Sequence, residues 1–301
     1  MLRYLPAPVR GTLASVLTVL NLVFWIVPFY VLALIKLLPI PPLRQLCFRG
    51  LEGIAALWID GNSTLARTND VHFDVRGTDD LEFADWYLVG TNHVSWVDVV
   101  ALQRAFNHKI PFLRFFVKQQ LIWVPLLGLA WWAMELPFMR RHTRAQIDAN
   151  PQLRIDDVEA TKRACEPFRN RPTAITNFLE GTRFTPAKHA AQDSPYTHLL
   201  KPKVGGIAYA LEAIGEKMNT FLDVTLVYPP GRETLWDLMT GRLRRVIIDV
   251  QRRTVPAEFL NGDYGGDAEY RARFKAWMEG VWREKDRRIG ELKVELAEAL
   301  A

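Results

Sequence analysis

The chain has 301 residues, 49% apolar and 24% charged, enough for one large or two ordinary domains around a packed core, which excludes wholesale disorder. Its 38 basic residues exceed 33 acidic ones by five, too mild and dispersed a surplus for a nucleic-acid binder, yet compatible with an anionic membrane or ligand. With only Cys47 and Cys165, far apart, neither a disulfide scaffold nor a cysteine zinc cluster can form, which points to a reducing compartment.

The N-terminal end is apolar. No charge falls between Arg10 and Lys36. As a helix at ~1.5 Å per residue this run is about 37 Å long, enough to cross a ~30 Å hydrocarbon core with tilt. Pro28 lacks an amide hydrogen and predicts a break or kink, so a bent insertion into one leaflet stands beside a spanning helix. A cleaved signal peptide fits less well, because the run continues through Phe24, Trp25, Phe29 and Tyr30 into Leu37 and Leu38. The 10 Trp, 16 Phe and 8 Tyr of the chain also suit a membrane–water boundary. Lys36, Arg44 and Arg49 after the run outnumber Arg3 and Arg10 before it, which by the positive-inside tendency places the large C-terminal part in the cytoplasm.

Pro39, Pro41 and Pro42 then mark a turn, and positions 43–59 carry Leu46, Phe48, Leu51, Ile54 and Trp58 in helical rhythm, as a segment lying along the membrane surface would. Apolar, β-rich runs follow at 71–75, 86–91, 110–117, 136–139, 173–179, 221–228 and 245–250. Helical stretches alternate with them at 96–106, 156–168 and 204–218. This order predicts an α/β fold, a mixed, largely parallel sheet flanked by helices, with the N-terminal segment embedded in a membrane. Residues 1–60 are expected to form the anchor and interfacial helix, and 61–301 the catalytic domain. The uncharged stretch 119–134, with Pro125 and Gly128, is short for a span and reads as a buried or interfacial helix. The C-terminal stretch 269–300 reads as an amphipathic helix packed on the domain with a solvated basic face, a membrane-surface role being the alternative.

Chemistry concentrates at two places. Directly after the run 86–91 comes Asn92-His93-Val94-Ser95-Trp96-Val97-Asp98. Ser95 with Asp98 three positions on is a helix start of capping-box type, whose carboxylate leans back toward the turn. The same geometry delivers that carboxylate to His93, so one ring nitrogen can donate to Asp98 while the other accepts a proton from a hydroxyl. The second place is Glu180-Gly181-Thr182-Arg183, ending the β-rich run 173–179. Glycine lets a ligand approach the backbone, and arginine is a forked, permanent cation suited to phosphate; an ordinary strand-to-turn ion pair is the alternative. Arg140-Arg141 likewise ends the apolar run 136–139.

Together these residues resemble the glycerolipid acyltransferase family that includes the 1-acylglycerol-3-phosphate O-acyltransferases. Asn92, His93 and Asp98 match its first motif, Phe138 to Arg141 its aromatic-rich second block, Glu180 to Arg183 its third, and Val224 to Pro229 its strand ending in proline. The resemblance covers about 71–230, and 199–206 and 223–229 look more like the longer subgroup that includes lysophospholipid acyltransferases. It implies transfer of a fatty acyl group from a thioester, acyl-CoA or acyl carrier protein, to the hydroxyl of a lysophospholipid. The acceptor implied is 1-acylglycerol-3-phosphate, giving phosphatidic acid, with another head-group class as the alternative. It further implies no bound cofactor or metal, His93 as general base with Asp98 orienting it, and an acceptor held by Asn92, Arg141, Glu180, Gly181, Thr182 and Arg183. The expected location is the inner (cytoplasmic) membrane, with the catalytic domain facing the cytoplasm. Three rivals differ in what they need. A serine hydrolase wants a Gly-x-Ser-x-Gly elbow, which the chain lacks; a metal phosphohydrolase wants ligand-like His spacing, which it also lacks; a lipid-binding relative would show no turnover.

Overall fold

Strand-forming runs separated by helices assemble here into a six-stranded mixed sheet. The computed structural model describes residues 4–139, 149, 150 and 152–299. In chain order the elements are α1 (Ala7–Ile35), α2 (Pro41–Thr68), β1 (His72–Arg76), β2 (Tyr87–Thr91), α3 (Val97–Phe106), β3 (Leu113–Phe115), β4 (Val117–Lys118), α4 (Leu127–Ala133) and β5 (Phe138–Met139). They continue with α5 (Gln152–Cys165), β6 (Ala174–Phe178), α6 (Pro186–Ala191), α7 (Gly205–Ile214), β7 (Thr220–Val227), α8 (Leu235–Thr240), β8 (Arg245–Thr254) and α9 (Ala268–Glu298).

The strand order is β1-β8-β7-β2-β6-β3. β3, β6, β2 and β7 run parallel, β8 is antiparallel to β7, and β1 is parallel to β8. Every residue of β2 and of β7 is buried, as expected for central strands covered on both faces. The two faces carry separate cores. Tyr87, Val89, Leu222, Val224 and Leu226 pack toward α3, while Leu88, Ile175 and Phe221 pack toward α7 and α9, so the side-chain alternation of each strand sorts its residues between two helical layers. Because β2, β6 and β7 are parallel neighbours, their carboxyl ends meet at one edge, the place where parallel α/β sheets bind ligands.

The C-terminal helix α9 packs its buried side chains, among them Phe274, Met278, Trp282 and Ile289, against this second core. The N-terminal part departs from expectation in two respects. α1 runs unbroken through Pro28, which removes only one amide donor. The chain reverses at residues 36–40, where the prolines mark a turn, and α2 returns along α1, with Asn21 Nδ2 donating to the Trp58 carbonyl at 2.9 Å and to Asn62 Oδ1 at 3.0 Å. Finally, α2 continues past residue 60 to Thr68 and leads directly into β1. α1 also packs on α8, so the hairpin lies against the sheet-bearing body.

α1 is long and apolar enough, by length and composition, to cross a membrane, and only 6% of its most apolar window is buried. Val19, Val23, Phe24, Val27 and Val31 face outward. The stretch 119–134 is not a single helix. A short 3₁₀ helix, Gln119–Trp123, ends before Pro125, Leu126 takes a φ of 64°, and α4 begins after it. Trp123, Leu129 and Trp132 are exposed on this stretch, so it is not buried as a unit.

Candidate active site

β2 ends at Thr91, and the next five residues form a tight loop into α3. Asp98 lies in the first turn of α3, completely buried. Its Oδ2 accepts from His93 Nδ1 at 2.7 Å, from the Val94 amide at 2.7 Å and from the Ser95 amide at 3.0 Å. Ser95 Oγ accepts from the Val97 amide at 2.8 Å. One carboxylate oxygen thus orients the imidazole and holds the loop amides, whereas Ser95 does not cap the helix as the sequence suggests: α3 follows Trp96 with no side-chain cap, and only the carboxylate-to-Ser95 half of the capping box forms. With Nδ1 turned to Asp98, the tautomer that donates from Nδ1 leaves Nε2 as the proton acceptor, and Nε2 has no partner among the described residues. Phe178, the last residue of β6, stacks on the His93 ring at 4.0 Å and 23° and limits its rotation.

The loop is fastened on both sides. Asn92 Nδ2 donates to the Leu226 carbonyl at 2.9 Å, and Asn92 Oδ1 accepts from the Leu226 amide at 2.9 Å, which ties the end of β2 to β7. On the β6 side, Glu180 Oε1 accepts from the His93 amide at 2.7 Å and Oε2 from the Leu200 amide at 2.9 Å. The Phe184 amide donates to the His93 carbonyl at 2.7 Å. Asn92 and Glu180, expected to contact the acceptor, thus spend their polar atoms on backbone and are only 3% and 1% exposed. For Glu180 the physical reason is plain: a carboxylate would repel a phosphate but satisfies two buried amides well.

Burial pushes the Glu180 carboxyl up to about 7; the Asp98 charge adds to this, and the two amide donors and Lys285 oppose it. Unfolded, a glutamate titrates near ~4.3, so the folded chain keeps a proton that the unfolded chain releases. This contribution to stability is complete below the unfolded value and disappears as pH rises from there through about 7. We expect wild type to lose on the order of 3 kcal/mol across that window relative to Glu180→Gln, which cannot titrate. Urea unfolding of both proteins at pH 4.5 and pH 8 checks this; equal changes would refute it.

Gly181 turns the chain at φ 67°, a left-handed conformation that glycine tolerates, and a Cβ there would lie 2.9 Å from Lys203 Cδ. Thr182 Oγ1 accepts from Lys188 Nζ at 2.7 Å. Arg183 is exposed, and its guanidinium lies 5.1 Å from the Trp96 ring centre. No ion pair joins Arg183 to Glu180, whose two oxygens accept from the His93 and Leu200 amides. Arg140 and Arg141 lie outside the described residues. Among the described residues no group of three or more His, Cys, Asp or Glu side chains could hold a metal ion.

Beside the loop is an apolar cavity of about 430 Å³. Trp25 and Phe29 of α1, Ile54 and Trp58 of α2, and Trp96 and Val100 at α3 are among its walls. It reaches the His93 loop at Trp96. The features that sequence reasoning missed are Phe178 as a stacking partner, Leu226 as the clip for Asn92 and Tyr228, whose hydroxyl reaches Asp98. Phe178 and Tyr228 both fall in apolar, β-rich runs of the sequence, but such a run does not say which loop its side chains meet.

A His–Asp pair with the aspartate buried and the imidazole partly exposed, at the carboxyl edge of a mixed, mostly parallel sheet and flanked by a Glu-Gly-Thr-Arg turn, defines a class. The family model for Acyltransferase matches residues 72–229, over half of the chain, and the chain belongs to this glycerolipid acyltransferase family. It is 25% identical over 178 residues to 1-acyl-sn-glycerol-3-phosphate acyltransferase gamma of Mus musculus, covering 56% of this chain and 43% of that protein. It is 29% identical over 130 residues to lysocardiolipin acyltransferase 1 of Danio rerio, covering 39% of this chain and 31% of that protein. The chain therefore spans less than half the length of the curated relatives it matches. The crystal structure of the 1-acyl-sn-glycerophosphate (LPA) acyltransferase PlsC from Thermotoga maritima shares the fold, with a TM-score of 0.53 at 17% identity over 96% of this chain and 98% of that one.

Proposed function

We propose that this protein transfers a fatty acyl group from an acyl thioester, carried by coenzyme A or acyl carrier protein, to the free hydroxyl of a lysophospholipid. The preferred acceptor is 1-acylglycerol-3-phosphate, giving phosphatidic acid. The observation that carries this reading is the His93 ring, held by Asp98 at 2.7 Å with its other nitrogen unpartnered among the described residues, beside an apolar cavity of about 430 Å³, a volume suited to a ligand chain. His93 Nε2 takes the acceptor's hydroxyl proton as the oxygen attacks the thioester carbonyl carbon. The tetrahedral intermediate then collapses, the carbon–sulfur bond breaks, and the imidazolium returns the proton to the departing thiolate. Asp98 supports the transient imidazolium, Arg183 holds the acceptor's phosphate, and the cavity takes an acyl chain. The outward apolar faces of α1 and of the stretch 119–134 seat the enzyme in a membrane where the acceptor resides, the catalytic body facing the cytoplasm.

The test is purified protein supplied with palmitoyl-CoA or palmitoyl carrier protein and a panel of lysophospholipids. Diacylated product with an equal amount of free thiol is expected, most rapidly from 1-acylglycerol-3-phosphate. Free fatty acid without diacylated lipid would establish a hydrolase, and no turnover with any pair a binding protein.

Arg183→Lys should raise KM for the lysophospholipid about ten- to a hundredfold and leave KM for the thioester nearly unchanged. A lysine ammonium cannot reproduce a bidentate grip worth ~1.5–3 kcal/mol. Equal losses for donor and acceptor, accompanied by a lower melting temperature, would show a structural role instead.

A further inference from the structure

The Asp98 carboxylate has a second oxygen, and it is not free. Tyr228 lies just beyond the end of β7, the strand beside β2, on the same sheet face as Leu222, Val224 and Leu226. Its hydroxyl donates to Asp98 Oδ1 at 2.7 Å, whereas His93 Nδ1 and the Val94 and Ser95 amides all use Oδ2. We propose that Tyr228 is a positioning residue for the acyl transfer: its hydroxyl fixes the plane of the Asp98 carboxylate and sets how much of its negative charge the His93 ring feels. This inference rests on the reading of His93 as the base.

Three observations support it. Three donors hold Oδ2, and the Tyr228 hydroxyl adds a donor on Oδ1, which draws carboxylate charge away from the oxygen that faces the His93 ring and braces the carboxylate from its other side. The ring alone would satisfy the core, since Tyr228 is only 7% exposed among apolar side chains; a phenylalanine would pack there without burying a hydroxyl. The approach is also built in. Asn92 clamps both backbone groups of Leu226, two residues before Tyr228, so the end of β7 cannot shift relative to the His93 loop. Burial and the Asp98 charge raise the phenol well above its ordinary value, so it stays a donor throughout the working range of pH. The other charged groups around the dyad are Glu180 beneath the loop, Lys285 of α9 behind Glu180, and Glu233 beside Tyr228.

The sign of the effect follows. Removing the hydroxyl leaves more charge on Asp98, which favours the protonated ring, so the acid limb of kcat/KM moves to higher pH. Tyr228→Phe should lower kcat about tenfold with KM for both substrates unchanged, and shift the acid limb and the ¹⁵N titration of the His93 ring upward by about 0.5 pH. 3-Fluorotyrosine at position 228, a stronger donor of nearly the same shape, should shift the ring titration downward. If Tyr228→Phe does not fold, the fluorotyrosine titration decides alone: a downward shift supports the proposal, and no shift overturns it. Wild-type kcat with an unmoved ring titration in folded Tyr228→Phe overturns it, as does a lower melting temperature with no change in the pH profile. Ring titrations that move as expected in a protein that transfers no acyl group would sink the proposed function and leave the Tyr228 coupling standing.

Discussion

His93→Ala should lower acyl transfer by about 10²–10⁴-fold, because no other side chain on the loop can accept the hydroxyl proton. The fold should survive, since the His93 side chain is 19% exposed and contributes mainly its stacking on Phe178. Asp98→Asn should be comparably severe, yet folded. Its amide oxygen can take the place of Oδ2 and accept from the His93 ring and the two loop amides. Its NH₂ then faces the Tyr228 hydroxyl, which can turn from donor to acceptor. What the amide cannot supply is negative charge opposite the imidazolium, so the loss falls on kcat. Single-turnover rates and melting curves of both variants check this. Near-wild-type turnover by folded His93→Ala would remove it as the base, and full activity in a destabilised Asp98→Asn would leave Asp98 with the helix-start role alone.

Deletion of residues 1–38 should abolish folding of the remaining chain instead of releasing a soluble catalytic domain. α1 supplies Trp25 and Phe29 to the cavity wall, and Phe29 is buried in a satellite core with Leu51 and Met134. Lys36 pairs with Glu135 at 2.7 Å and donates to the Ala133 carbonyl at 2.8 Å, fixing the hairpin to the end of α4. Each large apolar side chain so buried contributes ~1.5–3 kcal/mol, and several would be lost together from a fold whose total stability is on the order of 5–15 kcal/mol. Size-exclusion chromatography and thermal unfolding in detergent, with and without the deletion, measure the outcome. A monomeric truncated protein with a wild-type transition would show that the hairpin is a detachable anchor. The sequence alone favours that simpler picture, since an uncharged N-terminal run reads as a separate unit, whereas in the structure it walls a cavity.

What the sequence by itself determined is the local and the chemical. The apolar β-rich runs at 86–91, 173–179 and 221–228 became β2, β6 and β7 within a residue or so, because a strand covered on both faces is mostly apolar. His93 and Asp98 were legible because their five-residue separation places them in one loop, where no long-range contact is needed to join them. The mixed α/β architecture followed from alternation. Tertiary structure decided which strands are neighbours, and with that the rest of the site. Tyr228 is 130 residues from Asp98 and meets it only because β7 pairs with β2 in one register. Glu180 and Asn92 looked like ligand contacts because a charge and an amide beside a motif suggest exposure. In the fold they lie against backbone amides that would otherwise be buried without partners, a cost that no one-dimensional pattern displays. The hairpin, likewise, reads as a membrane segment from its own composition, and its second role as a cavity wall depends on α2 returning along α1 and on α3 packing against α2.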